Sequence, residues 1–146
     1  NDIVPIYNSK WGGSSSVVNN CQFFMNPGTG HEDLWVNFQK KYEYNPSHIH
    51  TGGLSFVIWH KIPYNIEEEK RVPHIMNTAS TVAGVFYFEY PNFLTPGGIQ
   101  QYKISLDKRH ENVLVLFPSF LLHGVHPFYT SDDYRISISG NIVLHR

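Results

Sequence analysis

Two histidines stand two residues apart in Pro46-Ser47-His48-Ile49-His50-Thr51-Gly52-Gly53, just before the apolar run Leu54-Ser55-Phe56-Val57-Ile58-Trp59. In extended backbone, residues i and i+2 project to the same face, so both imidazoles can aim at one point. Imidazole is the commonest metal-ligating side chain, and the pair reads as two thirds of a metal site. His123 is the candidate third ligand. It sits in Phe120-Leu121-Leu122-His123-Gly124-Val125, downstream of the apolar run Val113–Phe117. A polar ring buried there without a partner would cost roughly 1–3 kcal/mol. A metal supplies the partner; a backbone carbonyl or a water is the plainer alternative. His31 and Asp33, the rival pair upstream, follow a Gly-rich turn and read as solvated turn residues.

Twelve residues beyond His123 comes Tyr134-Arg135-Ile136-Ser137-Ile138-Ser139. Alternation places Arg135, Ser137 and Ser139 on one face of a strand. A guanidinium facing into a barrel must meet an anion, because burying it unpaired is very costly. Its planar fork suits a carboxylate, and a serine two residues on can add a hydroxyl. The alternative is an edge-strand arginine paired with surface Asp132 or Asp133. His60 and His126 have no spacing for a second metal site in a β context and read as structural or supporting. No serine has a His and an acid at triad spacing, and no Walker-type phosphate loop is present.

These residues need rigid strands to position them. Short apolar or alternating runs, broken by Gly, Pro, Asn and Asp, give an all-β texture. Strands are expected at Ile3–Tyr7 (an edge, with Pro5), Val17–Met25, Asp33–Gln39, Leu54–His60, Gly84–Tyr90, Ile99–Leu106, Val113–Phe117, Leu121–Val125 and Tyr134–Leu144. In Asp33–Gln39, Leu34, Val36 and Phe38 are expected on the core face, with Trp35, Asn37 and Gln39 lining a pocket. Leu54–His60 is apolar on both faces and so central; Val113–Phe117 is expected to be buried and to stop at Pro118. One short helix is expected within Pro63–Arg71, capped by Asn65 and ended by Pro73. Eight or nine strands imply a double-stranded β-helix, or jelly roll, of two antiparallel sheets.

The 146 residues suggest one domain, 1–146, with enough chain to bury a core. A formal net charge of -1 gives no reason to expect nucleic acid or an anionic membrane as a partner. The one cysteine, Cys21, excludes an internal disulfide and fits a reducing compartment. No run is apolar and long enough to span a bilayer, and no signal peptide opens the chain, so a cytoplasmic location is expected. The chain begins at Asn1 without a methionine, which leaves a preceding segment open.

The order His48-x-His50, His123, Arg135-x-Ser137 resembles the Fe(II)- and 2-oxoglutarate-dependent oxygenases, whose usual motif is His-x-Asp/Glu, a distal His, then Arg-x-Ser. More narrowly, Trp35-x-Asn37, Phe117-Pro118-Ser119 and Arg135-Ile136-Ser137-Ile138-Ser139-Gly140-Asn141 resemble a branch known largely from marine bacteria and tailed phages, over roughly residues 34–142. The resemblance implies iron held by His48 and His123, and the distal carboxylate of 2-oxoglutarate held by Arg135 and Ser137. Asn37, eleven residues before His48, would be a further contact to the co-substrate. It implies dioxygen-dependent hydroxylation of a small-molecule or peptidyl substrate, with release of succinate and carbon dioxide. One departure stands out: His50 occupies the place of the usual carboxylate ligand. The site is then either three histidines or completed from elsewhere, and zinc, nickel or copper also suit such donors. Two other readings stay open: a cupin-type metal enzyme that does not use 2-oxoglutarate, and a non-catalytic jelly-roll module, for instance in a virion. Substrate choice is expected in the loops His74–Ala83 and Pro91–Gly98. Oligomeric state is open.

Overall fold

Alternating and apolar segments fold as extended chain wherever both faces find cover, and here they do so in two facing layers. The structure, a computed structural model, describes residues 21–22 and 34–144. The strands are β1 Cys21–Gln22, β2 Leu34–Gln39, β3 Asn45–His48, β4 Leu54–Lys61, β5 Val85–Pro91, β6 Ile99–Ser105, β7 Leu114–Pro118, β8 Leu122–Val125 and β9 Arg135–Leu144. The first sheet has the order β1-β9-β4-β7, with β2 also on β9; the second has the order β3-β8-β5-β6. All named strand pairs are antiparallel. From β2 onward the chain changes sheet at every connection except the β5–β6 hairpin. That is the jelly-roll plan expected from the sequence. The expected Ile3–Tyr7 strand, His31 and Asp33 lie outside the described residues, and of the expected Val17–Met25 strand only Cys21–Gln22 is described.

The core lies between the sheets and is largely aromatic. Trp59 of β4 meets Phe86 of β5 edge-on at 5.1 Å, and Phe86 and Phe88 pack against Phe117 of β7. Tyr64 stacks on Phe128 at 4.9 Å in the same cluster. Two short helices follow β4: α1 Ile66–Glu69 and α2 Pro73–Met76. Asn65 caps α1 as expected, its side chain accepting from Glu67 N at 2.9 Å. Pro73 does not simply end the helical region. It takes the first position of α2, where a missing N–H costs nothing. Glu69 is fully buried and accepts 2.8 Å bonds from the amides of Tyr129 and Thr130, tying α1 to the loop before β9.

Two expectations about strand faces are corrected. Leu34, Val36 and Phe38 are not the core face of β2: they are 39%, 49% and 61% exposed, on the outer side of the first sheet. The inward side is Trp35, Asn37 and Gln39, because on that side β9 presents Ser139, Ser137 and Arg135 in register. β7 is an edge strand rather than a buried one, with Leu114 exposed and only Phe117 deeply buried. β4, flanked by β9 and β7, is central as expected.

Candidate metal centre

His48 is the last residue of β3 and lies directly opposite His123 of β8, their rings 4.5 Å apart. His50 lies just beyond the strand rather than within it. Its position is set by the main chain: His50 N donates to Ser119 O at 2.8 Å. Ser119 is fully buried, with its hydroxyl 3.0 Å from that of Ser55, and Ser55 donates to Asn141 Oδ1 at 2.7 Å. This buried polar knot holds the turn that delivers His50. The His50 ring is 4.9 Å from His48 and 5.1 Å from His123. One ring nitrogen from each of the three lies within 4.8 Å of the others, and no carboxylate joins the cluster among the described residues. Imidazole nitrogens gathered in this way suit a borderline divalent ion such as iron or zinc.

Second partners set the tautomers. His48 Nδ1 lies 2.7 Å from Pro46 O, and His123 Nδ1 lies 2.8 Å from Leu121 O. A carbonyl only accepts, so each Nδ1 carries the hydrogen and each Nε2 is left with its lone pair. His123 thus meets the plain alternative with one nitrogen and offers the other as a ligand. The His50 ring makes no hydrogen bond among the described residues and rests against Trp35 at 5.2 Å. Burial beside Phe117 pushes the His123 pKa down to about 4, against the pull of the Leu121 carbonyl. His50 is lowered too, by burial first and by His48 second. Both are therefore neutral at pH 7, the form that binds metal.

The three histidines line a cavity of about 180 Å³ whose other walls include Trp35, Gln39, Val57, Trp59, Phe117, Ser137 and Ser139. No aspartate or glutamate lines it. Arg135 stands behind this wall at 1% exposure. Asp132 and Asp133 do not reach it; they pair with Lys41 and Lys61 at 2.5 and 2.6 Å. Its guanidinium instead donates to Gln39 Oε1 from Nε (3.2 Å) and Nη2 (2.9 Å), and to His126 O (3.0 Å) and Tyr64 Oη (3.4 Å) from Nη1. Phe128 lies against it, 5.3 Å from guanidinium carbon to ring centre. Arg135 is thus a buried cation with no carboxylate partner among the described residues. Asn37 Nδ2 donates to Ser137 Oγ at 3.3 Å, so Asn37 supports the serine and, like Arg135, does not itself line the cavity.

From the sequence alone no contact with Arg135 is expected of Gln39, Tyr64, Phe128 or the His126 carbonyl, although Gln39 is expected to line the pocket, as it does. Gln39 carried a signal, because it shares the Trp35 and Asn37 face of β2; the other three are brought to Arg135 only by the fold. His60 is exposed. His126 stacks on Tyr87 at 4.6 Å, with Nε2 buried and unpartnered among the described residues.

Comparison with known proteins adds a sequence-level finding to this geometry. No curated protein matches the chain. A family model described as "Putative 2OG-Fe(II) oxygenase" matches residues 33–141 of the 146, a span that holds all three histidines, Asn37, Arg135 and Ser137. On the strength of that match the chain belongs to the 2OG-Fe(II) oxygenase family.

Proposed function

We propose that the protein is an Fe(II)- and 2-oxoglutarate-dependent dioxygenase that hydroxylates a small-molecule or peptidyl substrate, with succinate and carbon dioxide as co-products. One observation carries this reading: three imidazoles converge at a cavity while a buried guanidinium without a carboxylate partner among the described residues stands behind its Gln39 wall. Iron would supply the activation of dioxygen, coupled to oxidative decarboxylation of the co-substrate. His48 and His123 would hold it through Nε2, their tautomers fixed by Pro46 O and Leu121 O. His50 would complete the donor set. Three neutral ligands leave a divalent ion its full charge, which favours anionic co-ligands in a cavity without acids of its own. Arg135 would neutralise the distal carboxylate, and Ser137, steadied by Asn37, would donate to it. Trp35, Trp59 and Phe117 keep the chamber largely apolar, which strengthens these charge interactions and limits competing water.

A second reading is favoured by the all-histidine donor set and by the occupied edge of Arg135: a metal-dependent enzyme of the same barrel that does without 2-oxoglutarate. An anaerobic titration separates the two. Fe(II), then 2-oxoglutarate, is added to metal-free protein while the visible charge-transfer band of the chelate is followed. The dioxygenase reading expects a band in wild type, weakened in Arg135→Ala and absent in His123→Ala. Iron binding without any band, in a folded protein, would favour the second reading.

A further inference from the structure

The edge of Arg135 best suited to a carboxylate is not open. Nε and Nη2 form the side of a guanidinium that grips a carboxylate with two parallel bonds. Here both donate to one acceptor, Gln39 Oε1, at 3.2 and 2.9 Å. Gln39 lines the cavity, whereas Arg135 does not. The amide therefore stands between the cation and the space an anion would enter. The rest of the guanidinium is fixed independently of Gln39: Nη1 is held by His126 O and Tyr64 Oη, and Phe128 covers a face. Removing Gln39 would leave the cation in place with its gripping edge facing the chamber.

We infer that Gln39 is a positioning residue that gates Arg135, so that a dicarboxylate co-substrate binds by exchanging with its amide oxygen. This rests on the proposed use of 2-oxoglutarate. An amide oxygen is a neutral acceptor and a carboxylate a charged one, so the exchange favours the carboxylate. The resting bonds must still break first, which lowers the apparent affinity. Ligands without a second carboxylate never meet the gate. The residue thus sets how strongly the site distinguishes a 2-oxo dicarboxylate from a 2-oxo monocarboxylate.

The test measures affinities of the Fe(II) protein for 2-oxoglutarate and for pyruvate, anaerobically, in wild type, Gln39→Ala, Gln39→Glu and Arg135→Ala. Breaking a hydrogen bond to a charged group corresponds to about a tenfold change in binding. Gln39→Ala is expected to bind 2-oxoglutarate about tenfold tighter. Gln39→Glu, which places a permanent carboxylate on Arg135, is expected to bind it at least about tenfold more weakly. Pyruvate affinity should stay level across the three Gln39 forms. A wild type that binds 2-oxoglutarate through Arg135, while Gln39→Ala binds it equally or more weakly, overturns the gate and leaves the co-substrate reading standing. Parallel shifts for pyruvate also overturn it. A 2-oxoglutarate complex in Gln39→Ala but not in wild type supports a gate held shut. No complex in either, with iron bound, overturns the gate and the co-substrate reading together.

Discussion

The burial that keeps the His123 ring neutral, the form in which an imidazole can bind metal, also makes the metal-free protein sensitive to acid. A free histidine titrates near 6.5, whereas in the folded chain His123 is 4% exposed and lowered to about 4. Between those values the unfolded chain takes up the proton more readily than the folded one. The contribution to stability is complete above about pH 6.5 and is lost as pH falls from there to about 4. It amounts to about 3 kcal/mol, taking 1.4 kcal/mol per pKa unit. In urea titrations of metal-free protein, wild type should lose more stability between pH 7 and pH 5 than His123→Gln. Equal losses would show that His123 does not carry this proton linkage. The site was legible to this depth: the spacing of His48 and His50, the apolar setting of His123 and the alternation of Arg135 and Ser137 named the residues that the fold brings together. The pocket face of Gln39 was legible too, but its bond to Arg135 was not, because alternation assigns a face to a side chain but not its reach, and its partner lies 96 positions away in the chain.

Among the elements, the knot of Ser55, Ser119 and Asn141 joins three segments that carry the site: β4, the turn after β7, and β9. All three residues are buried, so deleting the Ser55 hydroxyl strips Asn141 Oδ1 of a donor where water cannot readily replace it. Ser55→Ala should lower unfolding free energy by about 1–3 kcal/mol, with the urea slope unchanged. It should also weaken metal binding, since the His50 amide hangs on Ser119 O. A loss below about 0.5 kcal/mol, the range of an ordinary surface change, would remove the knot from the account. Strand existence was legible, except at the polar β3, because apolar alternation and Gly/Pro breaks survive in any fold. Strand placement was less so. The apolar side of β2 looked like core, yet Trp35 and Gln39 of the opposite side line the cavity and Asn37 meets Ser137 there, so the apolar side faces outward. Val113–Phe117 looked buried, but hydrophobicity does not distinguish an edge strand from an inner one when neighbouring strands are distant in sequence.

For the whole molecule, the donors and the guanidinium belong to different layers. His48 and His123 are on the second sheet, Arg135 and Ser137 on the first. A ligand spanning the cavity would brace one sheet against the other. Metal followed by 2-oxoglutarate should therefore raise the melting temperature in two steps. Each step contributes about 2.7 kcal/mol at a hundredfold excess over its dissociation constant, which corresponds to a shift of several degrees. Calorimetry under anaerobic conditions should show the metal step but not the second in Arg135→Ala, and neither in His123→Ala; both steps surviving in both variants would exclude this site. The position of β9 has another consequence. The strand lies between β2 and β4, and Asn37 meets Ser137 across 100 residues. During synthesis, residues 34–39 must wait as an unpaired strand until residues 135–140 have left the ribosome. His48 likewise waits for His123. Chains ordered this way have high contact order and fold slowly, with aggregation-prone edges exposed meanwhile. A metal ion taken up by His48, His50 and His123 would not serve as a nucleus for that process, because the three rings come together only once β3 and β8 have paired.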